Sequence, residues 1–391
     1  GVGRDPRAID AMTITRADHE TCSRGRPGCR VELAAVSLSM MNPLGRRAVR
    51  QHGRWTVGVV AVVVLLGLRP GLADEPLTRF EFRRKAMGVD FTVVLYGAKK
   101  GAANTAAEAA LDRVTQLDAI CSDYKATSEL RRLCAEAKPG QAMSVSVDLA
   151  RVLERSQQVS KLSGGAFDVT VGPLTKLWRR ARRQKKLPPA DRLNQARSLV
   201  GYRLVSVDGR ARQVTLKRAG MRLDLGGIAK GYAVDRAMEV LAHHGFTRSM
   251  VDGSGDLAVG DPPPGRAGWK VAVASLENPD RRSVEVLELA NTAIATSGDA
   301  FQSVTIDGTR YSHILDPRTG LGLTSSSSVT VLAADATTAD AMASAVSVMG
   351  PVAGQRLVAG TKGVESLFVT RTKNRLKIHR SKRWPGRSPA R

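Results

Sequence analysis

The stretch Asp224-Leu225-Gly226-Gly227-Ile228-Ala229-Lys230-Gly231-Tyr232-Ala233-Val234-Asp235 carries the reading of this chain. Its paired glycines open a helix in which Val234, Ala237, Met238 and Leu241 recur at helical spacing until Gly245 stops it. A helix N-terminus offers unpaired N–H groups and a partial positive charge, so a phosphate sits well there. Glycine lets an anion approach the backbone closely, and Lys230 adds a cation one turn in. The competing reading is a tightly packed helix start made of small residues.

Around this segment, strands and helices interleave without regular βαβ repeats. Residues 86–96 read as a strand rich in β-branched and aromatic side chains. Thr105-Ala106-Ala107-Glu108 has the form of a capping box, and Leu111, Val114, Leu117 and Ile120 supply the inward face of the following helix. Helices are expected near 148–160 and 191–200, the second after the break at Pro188-Pro189. Asp208-Gly209 joins 202–207 to 214–216 as a hairpin, and Asp307-Gly308 joins 303–306 to 311–315. Further strands are expected at 249–251, 269–274 and 284–289, and residues 325–328 read as loop. Hairpins mixed with helices point to the α+β class rather than a doubly wound sheet.

Asp340 and Ser344 stand four apart in a strongly helical run, so both oxygens share one face. A carboxylate and a hydroxyl together suit a hard cation such as Mg2+; a solvated Asp and an ordinary helix Ser are the alternative. His313 ends an expected strand, and an ordinary imidazole titrating near 6.5 suits a general base. Cys121 and Cys134 admit two readings, a disulfide or small core residues.

Several blocks stand in a fixed order: Met87-Gly88; Ser122-Asp123-Tyr124 with Ser128-Glu129-Leu130; residues 163–168 (SGGAFD) with Thr170-Val171-Gly172-Pro173-Leu174; the opening segment; Thr296-Ser297-Gly298-Asp299; residues 313–320 (HILDPRTG); and the Asp340–Ser344 pair. In content and order they resemble the ApbE family of flavin transferases, which move FMN from FAD onto a protein hydroxyl. The resemblance runs from about Met87 to about Gly350. It implies a T-fold-like α+β architecture, mixed and antiparallel sheets packed with helices, with FAD in a cleft between two lobes. It implies FAD contacts at Met87, Tyr124, Ala166, Phe167, Asp168, Asp224, Lys230, Ser297, His313 and Ile314. Mg2+ would be held by Asp340, Ser344 and the Gly227 carbonyl, and His313 and Asp340 would be catalytic. The sequence departs from the family pattern in two places. Ser344 stands where Thr is usual, and Asp252-Gly253-Ser254-Gly255-Asp256 stands where Asn-Ala-Gly-Gly-Asp is usual.

The implied activity is Mg2+-dependent transfer of FMN from FAD to a Ser or Thr of exported or membrane redox flavoproteins, with release of AMP. A Mg2+-dependent FAD pyrophosphatase and a non-catalytic exported FAD carrier are the alternatives. The net charge of +24 invites a nucleic-acid reading, but the excess gathers in the leader, in residues 179–186 and after residue 371, without a nucleic-acid-binding motif. These runs read as solvated faces or frayed ends, with weak attraction to a membrane surface as a second reading. Residues 40–73 have signal-peptide grammar: Arg46, Arg47, Arg50 and Arg54, then an apolar run, then Gly71-Leu72-Ala73. An uncleaved anchor is the alternative, and either places the protein on the periplasmic side of the cytoplasmic membrane. Residues 1–39 are expected to be an over-extended N-terminus, 74–370 the transferase-like domain and 371–391 a basic tail.

Overall fold

A computed structural model describes residues 76–274, 276, 283–299, 302–372 and 375–386. The leader expectations, at 1–39 and 40–73, lie outside these residues. In chain order the elements are β1 (Thr78–Ala86), β2 (Val89–Gly97), α1 (Lys100–Cys121), α2 (Glu129–Glu136), β3 (Ala142–Ser144), α3 (Val147–Leu162), α4 (Gly172–Gln184), α5 (Ala190–Arg197), β4 (Val205–Asp208) and β5 (Gln213–Leu216). There follow α6 (Ala229–His243), β6 (Ser249–Asp252), β7 (Asp256–Val259), β8 (Trp269–Ala274), β9 (Ser283–Leu289), β10 (Thr292–Gly298), β11 (Ser303–Ile306), β12 (Thr309–Ser312), β13 (Ser327–Ala333), α7 (Ala336–Ala359), β14 (Glu365–Thr372) and β15 (Arg375–Arg380).

Eight strands form one antiparallel sheet in the order β1-β2-β6-β7-β10-β13-β14-β15. Because side chains alternate across a sheet, each strand feeds two cores. Phe91, Val93 and Leu95 of β2 point into the larger core with the helices, while Val94 and Tyr96 join a second core on the far face. The second core is closed by the β8–β9 ribbon, through Trp269, Val271, Leu287 and Leu289. On the helix face Ala293, Ala295 and Ala333 meet the alanine-rich α7, so this helix lies close to the sheet. α6 packs against both α1 and α7. The α+β, antiparallel-sheet expectation holds.

Several local expectations are corrected. The strand expected over 86–96 is the second arm of a hairpin, with Met87 (φ 50°) and Gly88 (φ 78°) forming its left-handed turn. The capping box at Thr105 is not used. α1 starts five residues earlier, and the Thr105 hydroxyl donates back to the Gly101 carbonyl. Ser327 and Ser328 are not loop: they begin β13 and are buried. The boundary at residue 370 falls inside β14, and residues 375–380 of the expected tail form the edge strand β15. Cys121 and Cys134 are both free; the Cys134 sulfur accepts the Leu223 N–H at 3.2 Å, which removes the disulfide reading. The basic run at 179–186 is no frayed end, because Leu174, Trp178 and Ala181 bury one side of α4. Among the described residues no helix is long and apolar enough to cross a membrane.

Candidate active site

The Gly226-Gly227 pair leads into α6 as the sequence suggests, with helical residues starting at Ala229. A Cβ built on Gly227 would lie 2.8 Å from the Ser344 hydroxyl oxygen and 3.3 Å from the Phe167 ring. Three separate sequence blocks therefore meet at one backbone position. Ser344 is the single partly exposed residue within residues 339–347, so the buried stretch of α7 reaches solvent there.

Asp340 sits one turn earlier on α7 and is buried. Its Oδ2 accepts the Gly231 N–H at 3.1 Å. Burial, followed by the nearby Asp256 charge, holds this carboxyl well above the usual carboxylate range, and Lys230 only partly counters them. Lys230 is ion-paired with Asp256. Burial works to lower its pKa, but Asp256, Asp340 and Asp252 together hold it above the ordinary lysine value. Asp252, one of the departures from the family pattern, points inward, and burial raises it to about 6 even though it accepts the Gly255 N–H at 3.0 Å. Ser254, another of these departures, adopts φ 59° and donates to the Asp90 carbonyl at 3.0 Å. That contact seats the Met87 hairpin beside this loop.

Could these residues hold Mg2+? Among the described residues no three His, Cys, Asp or Glu side chains converge as a ligand group. The expected set contains one carboxylate, one hydroxyl and one backbone carbonyl. These are all hard oxygen donors, and the close approach of Gly227 to Ser344 beside Asp340 suits them to a hard cation that keeps waters and substrate phosphates. The residues fit the ion.

Asp168 accepts from Thr170 N (2.8 Å), Thr170 Oγ1 (2.6 Å) and Tyr202 N (2.6 Å), so both its oxygens hold the turn that presents Ala166 and Phe167. Burial raises its pKa despite these bonds. Asp224 accepts the Gly226 N–H at 2.9 Å, which shapes the glycine turn.

Arg179, on α4, reaches Asp123 at 2.6 Å and Asp224 at 3.2 Å, and its guanidinium carbon lies 4.1 Å from the centre of the Tyr124 ring. Tyr124 itself is 76% exposed, a large aromatic surface open to a ligand. Sequence reading placed Arg179 in a solvated run, although Leu174, Trp178 and Ala181 at helical spacing already marked α4 as amphipathic.

His313 is anchored through its backbone, donating N–H to the Gln302 carbonyl at 2.8 Å. The neighbouring Trp178 indole donates to the Ser312 carbonyl at 3.0 Å, which ties α4 to this loop. The ordinary titration expected for His313 is corrected. Burial, then the Arg182 charge, pushes it down to about 4, so the ring is neutral at neutral pH. Its Nδ1 is shielded from solvent and has no partner among the described residues. The nearby carboxylate of Asp316 is held by the Arg318 guanidinium at 2.8 Å. Asp299 is buried under Arg310 at 2.7 Å and accepts the Ser327 N–H. Ile314 follows His313 directly, its N–H bonded to the Ser312 hydroxyl at 3.0 Å. Ser297 lies in β10 opposite Val329, two residues before Asp299, and among the described residues no hydrogen bond ties it to the Asp340 group.

A model of the ApbE family matches residues 87–368, well over half the chain. The FAD:protein FMN transferase of Vibrio cholerae is 29% identical over 334 residues, covering 84% of this chain and 96% of that protein. The enzyme of the same name from Haemophilus influenzae is 30% identical over 302 residues, covering 75% of this chain and 86% of its own. Among solved structures, the flavin transferase ApbE of Vibrio cholerae matches with a TM-score of 0.70 at 29% identity, covering 78% of this chain and 98% of that one. The apo flavinyl transferase ApbE of Pseudomonas stutzeri matches with a TM-score of 0.70 at 28% identity, covering 78% and 96%. With three of the ordered blocks meeting at one glycine turn, this chain belongs to the ApbE family of flavin transferases.

Proposed function

We propose that the chain is a Mg2+-dependent FAD:protein FMN transferase whose acceptors are Ser or Thr hydroxyls of exported or membrane redox flavoproteins. The observation that carries this reading is the meeting of Gly227 and Ser344 beside Asp340 at the start of α6, where a hard-cation donor set adjoins the ammonium of Lys230. Mg2+ held by Asp340, Ser344 and the Gly227 carbonyl would neutralise charge on the FAD diphosphate and on the departing AMP.

The chain's own residues supply the rest. The acceptor hydroxyl oxygen bonds to the FMN phosphorus, the bond from that phosphorus to the bridging oxygen breaks, and AMP leaves with the electron pair. The hydroxyl proton passes to the neutral His313 ring, whose Nδ1 is free to accept it. Such a low basicity suits a late proton transfer, once the new bond has acidified the hydroxyl. Phe167 closes the Gly227 turn from the protein side, and the exposed Tyr124 ring offers a stacking face to the isoalloxazine. The leader grammar of residues 40–73 supports export, which would bring the enzyme to acceptors on the same side of the membrane.

The test is mass spectrometry of the protein incubated with FAD, Mg2+ and a flavoprotein-domain acceptor, with AMP measured in the same tube. An acceptor heavier by one FMN, with matching AMP, is the expected result. AMP and free FMN without an adduct would favour the pyrophosphatase, and intact bound FAD would favour a carrier.

A further inference from the structure

We propose that Arg182 is a flavin ligand whose guanidinium donates to the carbonyl edge of the bound isoalloxazine ring. This rests on the FAD reading above and assigns a group that the motif blocks do not contain.

Arg179 and Arg182 lie three residues apart on α4, on the flank that borders Tyr124. Their situations differ. Arg179 is balanced by two carboxylates, Asp123 and Asp224. Arg182 has no carboxylate within ion-pair distance among the described residues, and its Nε is shielded from solvent without an acceptor. A guanidinium carries five donors and no acceptor, so a shielded, unmet N–H is costly unless something outside the chain accepts from it.

Arg182 stands one turn along α4 from Arg179, which stacks on the Tyr124 ring, and from Trp178, which bonds the Ser312 carbonyl next to His313. Its charge neighbours, Tyr124, Arg179 and His313, agree with that place, and His313 in turn feels Lys230. The order along this side is therefore Tyr124, Arg182, His313, Lys230. At the Lys230 end stand Asp252, Asp256 and Asp340, the surroundings of a cation with its diphosphate. At the Tyr124 end stands an exposed aromatic ring, the surroundings of a planar heterocycle. A group between them that has donors to spare meets the ring's carbonyl oxygens rather than the phosphates. Guanidinium, planar and always charged, is suited to such an edge.

The experiment is equilibrium binding of FAD, riboflavin and ADP, each alone, to the purified full chain, comparing wild type with Arg182→Gln and with Arg183→Gln, an exposed neighbour on the same helix. Arg182→Gln should weaken FAD and riboflavin about tenfold and leave ADP unchanged, the loss expected for one charge-assisted hydrogen bond. Arg183→Gln should change none of them. Weaker ADP with unchanged riboflavin would make Arg182 a diphosphate group and overturn the proposal. Unchanged affinities for all three would overturn it equally. A wild-type chain that binds no FAD is a separate outcome, since it removes the FAD reading itself and this inference with it. Should Arg182→Gln fail to fold, Arg182→Lys keeps the charge without the planar fork, and its riboflavin affinity should still fall severalfold.

Discussion

The two ends of the cleft carry opposite electrostatic problems. At the α6–α7 end one ammonium, Lys230, faces three carboxylates, Asp252, Asp256 and Asp340. Burial raises both Asp340 and Asp252, and like charge reinforces it, so this end lacks positive charge. At the α4 end Arg179 is matched by Asp123 and Asp224, and Arg182 is left with a shielded N–H that nothing among the described residues accepts. That end lacks an acceptor. A single ligand that brings a cation-bound diphosphate to one end and an electron-rich ring edge to the other relieves both. FAD with Mg2+ is such a ligand, so the contrast explains why this cleft suits a dinucleotide better than a simple phosphate.

The contrast breaks most visibly at Asp340. Asp340→Ala should reduce AMP release by roughly 10^3, the scale on which loss of a transition-state charge stabiliser is felt. FAD binding should survive, because the Tyr124 end is untouched. Chromatographic AMP assays should give the same loss for wild type in EDTA, restored by Mg2+. Unchanged release from the variant would move the cation elsewhere.

At the other end, Arg179→Ala strands Asp123 and Asp224 side by side and frees the Tyr124 loop. Removing one member of a largely buried ion pair is strongly destabilising, but the Arg179 side chain is 29% exposed, so a loss of about 1–3 kcal/mol is expected in urea melts. A loss below a few tenths would show the bridge to be ornamental.

Asp252→Asn sharpens the account of the negative end. The folded protein holds the Asp252 proton up to about pH 6, whereas the unfolded chain releases it near 3.8. Wild-type stability therefore falls as pH rises between those values and stays lower above them. Asparagine keeps an oxygen for the Gly255 N–H and has no proton to lose. The variant should match wild type near pH 4 and exceed it above pH 6 by about 1–2 kcal/mol. His313 acts in the opposite sense, because its folded value of about 4 lies below the ordinary 6.5 and its contribution rises with pH across that window. Thermal melts across pH should thus show Asp252→Asn gaining on wild type as pH rises from about 4 to about 6.

The smallest effect belongs to Ser344→Thr. The hydroxyl is retained and its rotamers are restricted by the added methyl, so Mg2+ should bind a few-fold tighter at most. A large change in either direction, read by Mg2+ titration of AMP release, would mean that the methyl disturbs the Gly227 contact.

Much of the α6–α7 end was legible in the sequence because its geometry is local. Asp340 and Ser344 share a helix face by spacing alone, and the Gly226-Gly227 turn precedes its helix directly. The Asp-Gly hairpin at 307–308 was legible for the same reason, since both residues take the left-handed backbone that such turns require. The α4 end was not. Arg179 and Arg182 look like any solvated basic run until the chain brings Asp123, Asp224 and His313 to them from distant segments. The edge strand β15 was missed although Leu376 and Ile378 alternate with basic residues, because the charge of the run obscured its period of two.

Gly231 sits in the first turn of α6, where a Cβ would come within 2.2 Å of the Ala336 carbonyl oxygen at the start of α7. The carboxylate of Asp235, one turn further along α6, accepts the Ala336 and Thr337 N–H groups at 2.7 and 2.9 Å and fastens the two helices at the same place. The absence of one methyl group at residue 231 thus acts as a shim of zero thickness. It sets how near the helix bearing Asp340 and Ser344 can come to the turn bearing Gly227, so the spacing of the proposed donor set is gauged by a residue that does not belong to it.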